Sequence, residues 1–193
     1  GRNVLHMASW GPFGGRRGNK YVSGQIAGAS PRCVELLLAR PEGQQCLITA
    51  DRDEATPLHI AAATGGEDVL KLMLQTEAGR RCVVQPPEGA RNFVPLAGSS
   101  FRGHLNCLRI LLAADADPAC QSTKGRSALD FAISGRQPET LEALLVSLQA
   151  SAHVEESRKL LLCRDASLWA CYFGAADLLK IIFANFPDTA KHK

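Results

Sequence analysis

Long apolar runs are missing from this 193-residue chain, since no stretch approaches the roughly 18 apolar residues that span a bilayer. Aromatic residues are scarce at 6%, which disfavours a β-sandwich, because its strands are rich in aromatic and β-branched residues. The formal net charge is only +3, too small by itself to indicate nucleic-acid or membrane binding. The amino-terminal residues show no secretory signal. These absences favour a folded, soluble, largely helical chain.

Chemical motifs are also missing. The sequence has no C-x-x-C, paired-histidine, P-loop or G-x-S-x-G pattern. The glycine-rich stretch from Gly11 to Gly18 lacks the preceding strand and the following Lys-Ser/Thr of a phosphate cradle. The seven cysteines are odd in number and irregularly spaced, which argues against a disulfide framework and favours reduced thiols in a cytoplasmic or nuclear protein. We therefore predict no catalytic residues, metal site or cofactor.

A two-helix unit is present near the middle of the first half. Residues 56–62 read T-P-L-H-I-A-A, Gly65 follows, and residues 69–74 read V-L-K-L-M-L. The first segment predicts a short helix, because Thr can cap it and Pro57 fits its first turn. The glycine predicts the end of that helix, with positive φ, and the apolar run predicts a second helix with a broad buried stripe.

Four less complete copies of this unit begin at residues 3, 94, 127 and 167. The leucine after the capping position marks each of the five copies, and these markers are Leu5, Leu58, Leu96, Leu129 and Leu168. Successive markers lie 53, 38, 33 and 39 residues apart. The pattern resembles the ankyrin repeat, whose period is about 33 residues. The long first separation indicates an insertion at about residues 11–28.

The resemblance implies an all-α solenoid in which each unit contributes an inner and an outer helix joined to the next unit by a hairpin loop. It also implies that His6 and His59 are structural, bonding near the helix start and tying adjacent units together. We expect one domain with repeats at approximately residues 1–46, 51–80, 88–118, 122–150 and 161–186. Cys33 and Cys107 share one register position, which predicts two small buried side chains.

Several departures from the pattern predict local irregularity. Ala97 replaces the histidine of the third unit, and Gly98 lies inside its inner helix at a cost of about 1 kcal/mol relative to alanine. Glu54 replaces the usual hairpin glycine, where positive φ is disfavoured. We expect the third unit to be the loosest. Trp169 at the histidine position and a shortened inner helix predict an irregular last unit.

The resemblance places partner contacts on the concave side, at hairpin tips and exposed inner-helix positions. The candidate contact residues are Arg52, Asp53, Arg91, Phe93, Phe101, Arg102, Lys124 and Arg126. Five basic residues against one acid give this surface a net charge of +4, and the two phenylalanines provide an apolar anchor. The pattern predicts a groove for an acidic or phosphorylated segment of another protein. The alternative is that these side chains only keep the surface soluble.

The insertion is a second candidate surface. It combines basic and aromatic side chains with glycines, and these residues are Phe13, Arg16, Arg17, Lys20 and Tyr21. Such a loop is expected to be mobile, and long loops often carry function. We favour its participation in binding over a merely tolerated insertion.

The sequence therefore favours a protein-interaction module, a scaffold or adaptor rather than an enzyme. Residues 178–183 are as apolar as an internal outer helix, so we expect the chain to be a segment of a larger protein. One alternative is that the basic surface binds nucleic acid or another polyanion. Another is that the chain is the regulatory ankyrin segment of a multidomain enzyme.

Overall fold

The computed structural model describes residues 3–9, 30–52, 54–85 and 96–190. This part of the chain is helical apart from its loops and one isolated bridge between Gln121 and Ser127. The α-helices are α1 (Val4–Ser9), α2 (Pro31–Leu38), α3 (Pro41–Leu47), α4 (Pro57–Thr64), α5 (Glu67–Gln75), α6 (Glu77–Val84), α7 (Ala97–Arg102), α8 (Leu105–Ala113), α9 (Ala128–Ser134), α10 (Pro138–Ala150), α11 (Glu156–Tyr172) and α12 (Ala176–Asn185). A short 3-10 helix, Pro187–Ala190, follows them. No helix in the described ranges is long and apolar enough to cross a membrane.

The helices form two rows. The inner helices α1, α4, α7, α9 and α11 each contact the next one along the chain. The outer helices α2, α5, α8, α10 and α12 do the same, and each packs on the inner helix of its own unit. This arrangement confirms the predicted all-α solenoid of helix pairs. The exact boundaries of the five repeats stay a prediction, and the expected insertion at about 11–28 lies outside the described residues.

The marker leucines of the first four units occupy equivalent buried places at the inner-helix starts. Leu5, Leu58 and Leu96 are fully buried, and Leu129 is 1% exposed. They belong to one continuous apolar core that runs through all the units. The core therefore grows along the stack as each unit covers the apolar face of the preceding unit.

The last unit differs from its prediction. Leu168 is 63% exposed, so this leucine is not the equivalent of the buried markers. Gly174, with φ +62°, ends the inner helix of this unit as Gly65, with φ +76°, ends that of the second unit. Leu58 lies seven residues before Gly65, and the residue seven before Gly174 is Ser167. The predicted register was therefore wrong by one residue. The predicted shortening was also wrong, because α11 has 17 residues while α4 has 8.

The helix starts confirm the predicted capping. Thr56 and His59 form a reciprocal capping box at α4, in which the His59 Nδ1 lies 2.7 Å from the Thr56 Oγ1 and accepts the Thr56 N–H at 3.2 Å. Ser127 and Asp130 form the same box at α9. Both boxes satisfy helix-terminal N–H groups that would otherwise be buried without partners.

Hydrogen bonds also cross the boundaries between units. The His6 Nε2 lies 2.9 Å from the Ala55 carbonyl oxygen of the second unit. The Thr64 hydroxyl donates to the Ser9 carbonyl of the first unit at 3.2 Å. The predicted structural role of His6 is thus confirmed, since one ring joins its own helix start to the neighbouring hairpin.

Two helices were not predicted. α3 and α6 extend the first two units and pack on each other, with Cys82 donating through its thiol to the Leu47 carbonyl at 3.7 Å. Gly43 and Gly79 hold equivalent positions in them, where an added Cβ would lie 1.8 Å from the Leu37 carbonyl oxygen and 2.0 Å from the Met73 carbonyl oxygen. The repeated G-x-x-C of residues 43–46 and 79–82 was a signal for these helices.

Cys33 and Cys107, which were predicted to share one buried register position, differ in burial. Cys107 is buried as predicted, whereas Cys33 is exposed, so the prediction for Cys33 was wrong. Cys33 is the third residue of α2, the outer helix of the first unit. Its helix turns Val34 and Leu38 into the core instead. The predicted register of this helix is therefore one residue too early, and Val34 holds the buried position predicted for Cys33.

Gly98 is explained by the approach of α7 to α4. A Cβ at this position would lie 2.6 Å from the Ala63 Cβ and 3.1 Å from its Cα. Contacts this short are strongly repulsive, so the backbones would have to separate. The glycine therefore permits the close stacking of the second and third inner helices.

We expect Gly98→Ala to lower the free energy of unfolding by about 1–3 kcal/mol because of this overlap, although alanine favours helices. Urea denaturation followed by circular dichroism measures the change. Ala63→Gly in the same chain should recover part of the loss, because it removes the opposing methyl group. A Gly98→Ala variant as stable as wild type would contradict the close-approach explanation.

Candidate functional site

The inner face is the surface formed by the inner helices and the hairpin loops that precede them. Arg52, Arg102 and Lys124 are exposed on it, and Phe101 keeps 40% of its surface exposed. Phe101 and Arg102 end α7, while Lys124 lies in the loop before α9. The structure thus places three predicted basic side chains and one predicted aromatic side chain on three successive units.

The other predicted contact residues are divided. Asp53, Arg91 and Phe93 lie outside the described residues, as do all five residues of the candidate loop, Phe13, Arg16, Arg17, Lys20 and Tyr21. The hairpin before α4 is described on either side of Asp53. In this hairpin Glu54 has φ +61°, so its position has the left-handed backbone conformation that glycine, the usual residue of the pattern, adopts most easily.

Arg126, also a predicted contact residue, has a side chain that makes contacts within the protein. Its guanidinium donates to the Ser134 hydroxyl at 2.8 Å. The same group lies 4.3 Å from the ring centre of Phe131 and 5.1 Å from that of Trp169. Since Phe131 is in α9 and Trp169 in α11, Arg126 bridges the last two units through cation–π contacts.

Asp130 stands where the second unit has His59. Its Oδ2 accepts the Ser127 N–H at 2.7 Å and the Ser127 hydroxyl at 3.0 Å. Its Oδ1 is buried and has no hydrogen-bond partner. Burial raises the pKa of this carboxyl above its ordinary value of 3.8, and the bonds from Ser127 oppose the rise without cancelling it.

An open cavity of about 420 Å³ lies on the inner face between α9 and α11. Its lining consists of two carboxylates, two aromatic rings, a leucine and a glycine, and these residues are Asp130, Asp165, Trp169, Tyr172, Leu168 and Gly125. Trp169 stacks on Phe173 with ring centres 5.8 Å apart, and Tyr172 meets Trp169 edge to face at 5.9 Å. The sequence reading missed this cavity because it treated Trp169 as an irregularity at the end of an array.

The buried cysteines are unsuited to nucleophilic chemistry. Burial raises the pKa of the Cys82 and Cys107 thiols to about 11 and that of Cys163 to about 12. Thiols with such pKa values are protonated at neutral pH, whereas a nucleophilic cysteine must be a thiolate. Within the residues that the structure describes, no group of three His, Cys, Asp or Glu side chains could hold a metal ion.

The raised pKa of Asp130 predicts an effect of pH on stability. The folded state holds a proton on this carboxyl more tightly than the unfolded chain, so the contribution of Asp130 to stability increases as the pH falls from the raised pKa towards 3.8. Asp130→Asn keeps an oxygen acceptor for Ser127 but does not titrate. The free energy of unfolding of wild type minus that of the variant should rise between pH 7 and pH 4 in urea titrations. A constant difference across this range would contradict the assignment.

The fold and its motif positions agree with comparisons to known proteins. The family described as "Ankyrin repeat" matches residues 53–82, and "Ankyrin repeats (many copies)" matches residues 97–145. The chain is 27% identical over 140 residues to the transient receptor potential cation channel subfamily A member 1 of Drosophila melanogaster. This alignment covers 72% of the chain and 11% of the channel, so the chain corresponds to a small part of that protein. The helix pairs, the capping boxes and the two family matches together show that the chain is an ankyrin-repeat protein.

Proposed function

We propose that the chain binds an acidic or phosphorylated segment of another protein on its inner face. Ankyrin repeats are in general modules of protein interaction and are typically not catalytic. The observation that carries the finer proposal is the exposed group of Phe101, Arg102 and Lys124, which brings an aromatic ring and two cations to adjacent units. None of these three side chains is needed for the buried core.

The composition of this group fits recognition of a peptide segment. Phe101 is 40% exposed, and burial of its remaining surface against a partner would be favourable by about 25 cal/mol per Å² of apolar area. Arg102 can bind a carboxylate or phosphate through two parallel N–H donors, and Lys124 adds a mobile point charge. Positive charge on one surface also speeds the association of acidic partners at low salt.

We further propose that the chain acts within a longer protein as a scaffold or adaptor segment. The support is the aligned channel, of which the matching part is 11%. The activity of that channel is not carried over, because the alignment covers so little of it. Arg91, Phe93 and the candidate loop remain proposed contacts, and a cytoplasmic or nuclear location remains a prediction.

Charge reversal on two surfaces tests the inner-face proposal. The inner variant combines Arg102→Glu with Lys124→Glu. The control combines Arg109→Glu with Lys180→Glu, which are exposed on the outer helices α8 and α12 and change the total charge by the same amount. Each protein is incubated with an array of acidic, phosphorylated, neutral and basic 12-residue peptides at two salt concentrations.

Wild type and the control should retain mainly acidic and phosphorylated peptides, with weaker signals at high salt. The inner variant should lose at least about tenfold of that signal, as expected for removal of charge-assisted contacts of 1.5–3 kcal/mol. Equal peptide selection by the inner variant and the control would refute the proposal. Strong binding of duplex DNA by wild type, without any peptide selection, would favour a polyanion-binding function instead.

A further inference from the structure

The cavity between α9 and α11 has a different chemistry from the exposed basic group. We propose that it binds the cationic side chain of a lysine or arginine of the protein partner. This inference rests on the proposed interaction function and deepens it, because it assigns a second, oppositely charged anchor to the partner. The partner would then carry a basic residue in addition to its acidic or phosphorylated segment.

Asp130 provides the strongest argument for a ligand. The residue is 2% exposed and lines the cavity, yet its Oδ1 has no hydrogen-bond partner. Buried polar atoms are nearly always hydrogen-bonded, and an unmade bond costs about 1–3 kcal/mol. A donor that enters the cavity could supply this missing bond. An ammonium or guanidinium group is a donor only, and it also carries the opposite charge.

Asp165 gives the cavity a second carboxylate. Its side chain is 39% exposed and forms a 3.3 Å ion pair with Arg164, whose side chain is 55% exposed. Exposed pairs of this kind contribute only about 0–1 kcal/mol, so Asp165 can exchange or share its partner at little cost. The six lining residues include no basic side chain, so their charge favours a cation over an anion.

The remaining walls suit the stem of a long basic side chain. Leu168 is 63% exposed and Tyr172 is 79% exposed, although both lie on α11 above the core. Lysine and arginine bury their methylene groups along apolar surface while the charged end reaches polar partners. The ring of Tyr172 adds an electron-rich face to which a cation is attracted.

Arg126 must be weighed against this proposal, because it brings a positive charge close to Trp169. Its guanidinium is already directed to Ser134 and to the ring of Phe131. It does not satisfy Asp130, since the Arg126 Nε and the Asp130 Oδ1 are both buried without a hydrogen-bond partner. Its position also shows that the aromatic rings of this region accept a guanidinium, so a second cation would bind beside it, at the carboxylates.

The chain offers a direct optical test, because it contains only two tryptophans. In a Trp10→Phe background, the fluorescence reports on Trp169 alone. The probes are N-acetyl-L-arginine amide and N-acetyl-L-lysine amide, with N-acetyl-L-citrulline amide as the uncharged analogue of the first. We expect the cationic probes to change the fluorescence saturably, together with the indole N–H resonance of Trp169, and citrulline to have at least about tenfold weaker effect.

Two carboxylate variants locate the binding. Asp165→Asn should weaken the cationic probes roughly two- to fivefold, as expected for an exposed ion pair. Asp130→Asn should weaken them roughly tenfold, provided that its circular dichroism and melting match wild type. Asp177→Asn is the matched control, since Asp177 is exposed in the first turn of α12 and does not line the cavity, and it should bind as wild type does.

The proposal is overturned by any of three results: no saturable response, an equal response to citrulline, or unchanged binding in Asp165→Asn. The Arg102→Glu, Lys124→Glu variant separates this outcome from that of the proposed function. It should keep its response to the cationic probes while losing the acidic peptides. If wild type binds the cationic probes but does not select acidic or phosphorylated peptides, the acidic-segment proposal alone is refuted. If it selects these peptides but does not bind the probes, the cavity proposal alone is refuted.

Discussion

The close approach of successive inner helices is the constraint on which the stack depends. Ala61, Ala132 and Ala170 hold equivalent positions, each four residues before the positive-φ residue that follows its inner helix, and all three are fully buried. Between α4 and α7 even one further methyl group would overlap, as Gly98 shows. Because these helices are thin, the leucines of adjacent units meet and form one core instead of five separate clusters.

The same constraint decides which side chains are left for binding. Positions between the stacked helices must be small, whereas positions at the helix ends and hairpin tips face outward and accept large side chains. Phe101, Arg102 and Lys124 occupy such positions, so they add nothing to the core. In α11 the larger residues Leu168 and Tyr172 are exposed, and together with Asp130 they line the cavity between α9 and α11.

Much of the fold could be predicted because it depends on local chemistry. A capping residue, Pro57, a buried leucine and a terminal Gly65 identify an inner helix from a few adjacent positions. The added helices α3 and α6 were not predicted, because their sequence signal is a glycine three residues before a cysteine. The need for that glycine is evident only from the backbone carbonyl that it approaches in the folded chain. A pattern of neighbouring residues does not disclose such contacts.

The candidate site was less predictable for the same reason. The sequence could indicate that Arg102 and Lys124 face outward, since hairpin and helix-end positions do so in this family. It could not indicate that Arg126 is held by Ser134 and two aromatic rings, because those contacts join the hairpin to two different helices. Nor could it show that Asp130 and Asp165 share a cavity, since they are 35 positions apart on separate units.

The extra helices α3 and α6 make the first two units larger than the described part of the later units. They give each of the first two units a third helix, with Cys82 of α6 bonded to Leu47 of α3, whereas each later unit has two α-helices among the described residues. Additional packing between neighbouring units makes a stack of helices harder to bend, and α3 packs on α6 across the first two units. A force applied to the ends should therefore bend the stretch from α7 onward, which carries Phe101, Arg102, Lys124 and the cavity, more than it bends the first two units.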